Sequence, residues 1–243
     1  MFPDLFSAFL ETGVVGRGLE KGVASIQMHD IRRHPVDKRG SVDDYQFGGG
    51  AGMLIRPEPL FNTLEEVSWR DGARIALMTP QGRQLDTDYA KELAECGKLV
   101  VFCGRYGGVD ERFRREVVTD EICVGDAVVS GGEIPAMYLI EAVFRWLPGV
   151  LGRLESAQSD SFATGLLDYP RYTRPAEYRG MKVPEELLSG NHALIAEWRF
   201  RAALEKTREV RPDLLLNCNE KETEIRFAEI MKEADRAKEQ DNG

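Results

Sequence analysis

The sequence predicts an α/β fold: a mainly parallel sheet with helices on both faces, followed by a small helical C-terminal domain. Three observations carry this reading. The runs at residues 74–78 and 98–103 are apolar without alternation, which suits strands covered on both faces. Each runs on into a polar or glycine-bearing turn and then a helical pattern, and alternating strands and helices specify this layered class. Beyond about residue 176 the strand pattern stops and helical spacing takes over.

Taken in order, residues 23–31 alternate loosely and read as a strand. Residues 36–52 are polar and glycine-rich and read as one long loop, a length that in compact domains usually carries function. The strand at 74–78 ends at Thr79-Pro80, and Asp88 reads as the cap of a helix reaching Cys96. The next strand, 98–103, leads into a short helix at 110–117, and a further strand spans 121–124. A helix follows at 136–146 with Pro135 at its start. Residues 154–175 lose periodicity and gain Ser, Asp, Gly and Pro, so they read as an interdomain linker. Helices are expected at 184–188, 192–207 and 220–238. The resulting division is 1–153, a linker at 154–175, and 176–243.

Composition narrows the function classes. The chain has 243 residues, is 42% apolar and carries a formal net charge of −9. No apolar run approaches the roughly 18 residues of a membrane helix, and Met1-Phe2-Pro3-Asp4 lacks the basic start of a secretion signal. Cys96, Cys103, Cys123 and Cys218 show no CxxC spacing, so no metal site is expected. Cys103 and Cys123 read as buried thiols, which fits a reducing cytoplasm. The acidic balance argues against nucleic-acid binding through the whole surface. It leaves room for a local patch, and Tyr169, Tyr172 and Tyr178 interleave with Arg171, Arg174 and Arg179. Aromatic rings and guanidinium planes both stack on unpaired bases. His29, His34 and His192 are isolated and receive no catalytic role.

Two glycine-bearing segments follow buried strands: Cys103-Gly104-Arg105-Tyr106-Gly107-Gly108 and Val124-Gly125-Asp126-Ala127-Val128-Val129-Ser130-Gly131-Gly132-Glu133-Ile134-Pro135. Neither is a phosphate loop, since GxGxxG and GxxxxGK[ST] are both absent. Turns at neighbouring strand ends build a pocket at the carboxyl edge of a parallel sheet. With Asp43-Asp44, Gly48 to Gly52, Thr79-Pro80-Gln81-Gly82, Arg145-Trp146-Leu147-Pro148-Gly149, Asp160-Ser161-Phe162 and Gly165 to Pro175, these segments give the chain its resemblance. It resembles the bacterial tRNA (guanine-N1)-methyltransferases of the TrmD family along nearly its whole length.

The resemblance implies methyl transfer from S-adenosylmethionine to N1 of the guanosine at tRNA position 37. It also implies a deep trefoil knot, a cytoplasmic homodimer with composite active sites, and magnesium as a further candidate cofactor. Such a reaction must remove the N1 proton and hold the charge that develops on O6. Asp160 matches the family's base and Arg145 the arginine supporting the deprotonated guanine. Thr79, Pro80, Gly104, Val124, Gly125, Asp126, Ala127, Val128, Val129, Gly131, Gly132 and Pro135 match donor-binding positions. Asp44, Asp168, Arg171 and Arg174 are expected on the RNA side. Gly48 to Gly52 suits a flexible segment near the substrate or the dimer seam.

The chain departs from the family pattern at Gly107, where Glu is usual, at Ala127, where an aromatic residue is usual, and at Gln46-Phe47. A short apolar strand usually precedes Phe2-Pro3-Asp4, so a sheet position or apolar surface is expected to be uncovered. Two other readings are a knotted methyltransferase acting on another RNA and an RNA-binding protein whose catalysis has decayed at positions 107 and 127.

Overall fold

The computed structural model describes residues 1–151, 160–216, 223–225 and 227–229. The chain divides into two compact units, Met1–Gly152 and Arg153–Gly243.

The first unit is built on a three-stranded parallel sheet. β3 (Arg74–Gln84) lies between β4 (Leu99–Cys103) and β5 (Asp120–Cys123). Arg74 pairs with Leu99 and Met78 with Cys103 on one side, and Met78 pairs with Ile122 on the other. Successive side chains of a strand point to opposite faces, and β3 uses both. Ala76 and Met78 join a core with Tyr89, Ala90 and Leu93 of α4 (Thr87–Ala94) and Ala136, Leu139 and Val143 of α6 (Glu133–Phe144). Ile75 and Leu77 join another with Leu60 and Leu64 of α3 (Pro57–Glu65) and Phe113 and Val117 of α5 (Glu111–Val117). Helices therefore cover both faces of a parallel sheet. Phe113 is fully buried, edge-on to Phe61 and Phe102 at 5.2 and 4.7 Å. Burying such a ring stabilises by about 1.5–3 kcal/mol.

Several elements differ from the sequence expectation. The cap of α4 is Asp86, which accepts from the Tyr89 amide at 2.7 Å, two residues ahead of Asp88. α5 starts at Glu111, and Asp110 is its cap rather than its first residue, accepting from the Arg112 amide at 2.9 Å. α1 (Ser7–Glu11), α2 (Gly13–Glu20) and α3 carry no expectation from the sequence; α2 opens on a glycine and α3 on a proline. The long loop at 36–52 contains β1 (Asp43–Tyr45), which pairs antiparallel with β2 (Met53–Ile55).

Residues 23–31 form no strand. Among the described residues, none of 24–29 makes a backbone hydrogen bond, and Ile31–Arg33 is a 3-10 turn. Alternation gave this segment a strand-like face, but a strand needs a partner. A cleft of about 890 Å³ lies between it and the sheet, lined by Ala24, Ile26, Leu99, Val101 and Phe144 among others. Among the described residues β4 pairs only with β3, so its outer edge is uncovered along that cleft.

In the second unit, residues 160–175 contain neither helix nor strand. A two-residue hairpin follows, β6 (Glu177–Tyr178) with β7 (Met181–Lys182), turning at Arg179 and Gly180 with φ of 53° and 79°. Positive φ at both positions is the hairpin turn that matches strand twist. It corrects the expectation of an all-helical region. α7 (Glu185–Leu188) and α8 (His192–Val210) come next. Asn191 caps α8 by accepting from the Ala193 and Leu194 amides. Leu166, Ala203 and Phe227 form the centre of this unit's core. Of the helix expected at 220–238, residues 223–225 and 227–229 are helical. Its remainder, and Cys218, lie outside the described residues. Among the described residues no helix is long and apolar enough to cross a membrane.

Candidate active site

The carboxyl ends of β3, β4 and β5 bring the two glycine segments together. Gly132 donates its amide to the Gly104 carbonyl at 2.8 Å, and Arg105 and Gly131 form an isolated antiparallel bridge. A Cβ on Gly132 would lie 2.8 Å from the Cys103 Cα and 3.0 Å from the Gly104 amide nitrogen. Only glycine permits that approach. Thr79 and Pro80 follow Met78, which pairs with Cys103 and Ile122, so they enter the same edge. The Thr79 hydroxyl accepts from the Gln81 amide at 3.3 Å.

The loop after β5 is open. Gly125 has a φ of 157° and a Cβ added there would meet nothing within 4 Å, and Asp126, Ala127, Val128 and Val129 line the same surface stretch with Ala127, Val128 and Val129 exposed. Among the described residues, 126–130 make no backbone hydrogen bond. Their amides and carbonyls can meet the edge of a purine or a ribose, so the residues present fit an adenosyl donor. Pro135 sits in the first turn of α6, half-buried.

A buried charge staples these loops. The Glu133 carboxylate, 2% exposed, accepts from Arg105 Nε at 3.1 and 3.2 Å and faces the Met1 ammonium at 3.5 Å. Burial works against its charge, but Arg105 and the ammonium hold its carboxyl below the usual range. Arg105 also lies over the Phe2 ring at 4.3 Å. Sequence reading missed this pair because its members stand 28 residues apart. The one available signal was an acid directly after Gly131-Gly132. Cys123 is buried, while Cys103 is half-buried, its thiol pushed up to about 12 by desolvation.

The hairpin β1–β2 docks on the first glycine segment. The Gly107 amide donates to the Met53 carbonyl at 2.8 Å, and Ile55 exchanges backbone bonds with Gly108 and Asp110. A Cβ on Gly107 would lie 3.1 Å from the Met53 oxygen, at a φ outside the left-handed region. At the tip, Gly48, Gly49, Gly50 and Gly52 all have positive φ and Phe47 is wholly exposed. Asp44 pairs with Arg56 at 3.3 Å on an exposed surface.

Arg145 caps the C-terminus of α6, half-buried. Asp160 belongs to the second unit, where a tight turn presents it. Phe162, at a φ of 75°, donates to the Leu166 carbonyl at 2.7 Å, and Ala163 donates to the Asp160 carbonyl at 3.3 Å. Leu167 donates to the Thr207 hydroxyl of α8 at 2.9 Å. Asp168 joins Asp160 through Arg171: Arg171 Nε donates to Asp168 at 2.6 Å, and its terminal nitrogen lies 3.8 Å from Asp160. Arg174 is exposed four residues before Tyr178. The expected donor positions thus converge in the first unit, and Asp160, Asp168 and Arg171 converge in the second.

The family model of tRNA (guanine-1)-methyltransferase TrmD matches residues 1–217. A Staphylococcus epidermidis protein named tRNA (guanine-N(1)-)-methyltransferase is 47% identical over 227 residues, covering 93% of each chain. Proteins of the same name from Geobacter sulfurreducens and Geobacillus kaustophilus are 51% and 50% identical over 216 residues, covering 88% of each chain.

Proposed function

Since the chain belongs to the tRNA (guanine-1)-methyltransferase TrmD family, we propose that it transfers a methyl group from S-adenosylmethionine to N1 of the guanosine at tRNA position 37. The observation that carries this reading is a family match running unbroken from the donor loops through Asp160 to α8. The donor supplies an electrophilic methyl on a sulfonium. Everything else is the work of side chains and backbone. Asp160 accepts the N1 proton, which frees the lone pair for attack, and Arg145 holds the charge that builds on O6. The open backbone of 124–129, with Gly104, Gly131, Gly132, Pro135, Thr79 and Pro80, holds the donor so that methyl and N1 align. Arg174, with Tyr172 and Tyr178, meets the RNA, and Asp44 lies on the substrate side. Magnesium enters this reading only through the family resemblance; among the described residues no group of three or more His, Cys, Asp or Glu side chains is placed to hold a metal ion.

The knot, the cytoplasmic location and the homodimer belong to the same proposal. For the dimer there is a supporting observation. α6 is apolar nearly all the way round, and Ile134 and Tyr138 are 64% and 57% exposed on its outer side. A helix apolar on every side is normally covered, and a second copy covers it in this reading. Chains carrying Asp160→Ala, mixed with chains crippled at Gly132, should regain partial activity as heterodimers. An active monomer in sedimentation at micromolar concentration would refute the composite site.

Transfer of labelled methyl to a tRNA transcript with guanosine at position 37, against one with that base replaced, tests the activity. Equal labelling of both transcripts, or of neither, overturns the proposal.

A further inference from the structure

Tyr45, at 80%, and Phe47, at 100%, are the most exposed aromatic side chains among the described residues, and both stand at the end of the β1–β2 hairpin. The hairpin sorts its side chains. Val42 and Ile55 are buried, while these two rings are left in water. Its stem is fixed: the Arg56 amide donates to the Val42 carbonyl at 2.9 Å, and Met53 and Ile55 are bonded through their backbones to Gly107, Gly108 and Asp110. Beyond Phe47 the chain passes through Gly48, Gly49 and Gly50, all at positive φ, so no side chain crowds the ring from that side. A bare aromatic face is therefore carried on a stem anchored to the first glycine segment of the donor site. Just ahead of β1, the Val36 amide donates to the Ser41 carbonyl at 2.9 Å and closes a turn. The Asp37 carboxylate is taken up by the Arg39 and Ser41 amides, and Asp44 pairs with Arg56. Lys38 and Arg39 are exposed at that turn, and among the described residues neither has an acidic side chain in ion-pair reach.

We propose that Phe47 stacks on the base of a nucleotide next to guanosine 37 and so holds the tRNA loop while that guanosine sits in the site. This rests on the tRNA reading given above. An enzyme that works on a base must take it out of its stack, which leaves the π-face of a neighbouring base open to water. A phenyl ring covers such a face whatever the base, because every base presents one. A protein partner fits the tip less well. Protein interfaces are built on contiguous apolar patches, and residues 46–52 offer beside Phe47 only Gln46, Ala51 and four glycines. A base needs only one ring-sized face, and Lys38 and Arg39 are free to meet phosphates of the same strand.

The test is steady-state methyl transfer by the parent, F47A, F47L and F47W to a guanosine-37 transcript and to the same transcript with an abasic nucleotide at position 36 or at position 38. On the intact transcript F47A should lower kcat/KM by about tenfold, within the range of a lost base stack. F47L should regain little of that loss, and F47W should match the parent. On one of the two abasic transcripts F47A should do no worse than the parent, because ring and base form one interaction and its loss counts once. The proposal is overturned if F47A or F47L matches the parent on the intact transcript, or if F47A loses the same factor on every transcript. It is also overturned if F47A weakens S-adenosylmethionine binding in calorimetry or changes the sedimentation of the protein, since the ring would then serve the donor or a second copy. A parent that methylates no transcript overturns the tRNA reading and this proposal together. An active parent with any of the other adverse outcomes overturns only the role of Phe47. Melting temperatures of the variants should match the parent, since the ring is wholly exposed.

Discussion

A methyl group at Gly132 has no room. The atoms it would meet, the Cys103 Cα and the Gly104 amide nitrogen, are backbone of the neighbouring loop and cannot rotate aside. Gly132→Ala should therefore cost about 1–3 kcal/mol, the usual toll of overpacking. It should also weaken donor binding, because the loops it pushes apart are those proposed to hold the donor. Melting curves and calorimetry with S-adenosylmethionine read the two effects; an Ala variant matching the parent in both would mean the loops are not so closely joined. Asp160 behaves differently. It is half-exposed and its turn is held by backbone bonds, so Asp160→Ala should leave stability and donor affinity nearly unchanged. Methyl transfer should fall by about 10² to 10⁴, the range of general-base help.

At the scale of elements, Asp120 ties β5 to β3 and α4. It is 5% exposed, and Arg74 of β3 binds both its oxygens, with Nε at 3.0 Å. The Tyr89 hydroxyl of α4 donates at 2.7 Å and the Thr119 hydroxyl at 2.6 Å. Burial opposes the charge, but these donors outweigh it and hold the carboxyl below its usual value. A carboxyl so lowered contributes stability that is complete above the ordinary Asp range near pH 4 and is lost as pH falls below it. Asp120→Ala, which leaves Arg74 without its buried partner, should cost about 3–5 kcal/mol. Denaturant curves between about pH 3 and pH 6 should show the parent losing stability at the acid end and Asp120→Ala losing less. Parallel slopes would show that Asp120 keeps its proton balance on unfolding. β3, β4, β5, α5 and α6 were legible because each pairs an apolar run with a turn or cap. α1 and α2 were not, since α1 is only five residues long and α2 is interrupted by Gly16 and Gly18. The 23–31 segment misled because period-2 alternation reports a face and says nothing of a partner.

Over the whole molecule, the legible part of the site was the part that is local in sequence. Glycine loops at strand ends announce themselves, so the convergence of Gly104, Gly131 and Gly132 could be anticipated. The Glu133–Arg105 staple joins residues 28 apart and is made by folding, with the acid directly after Gly131-Gly132 its one local sign. The open cleft beside β4 has a consequence of its own. The amides of 24–29 should exchange with solvent quickly, while those of Ile75 to Met78, in the central strand, should be protected close to the global limit. Equal protection would mean that 24–29 has a strand partner in solution. Mass spectrometry of nuclease-digested tRNA after reaction decides whether this chain places a methyl group on N1 of one guanosine through Asp160. The parent chain should give 1-methylguanosine at position 37, and Asp160→Ala should give almost none at equal donor binding. Methylation at another atom or position, or undiminished product with Asp160→Ala, would contradict this assignment.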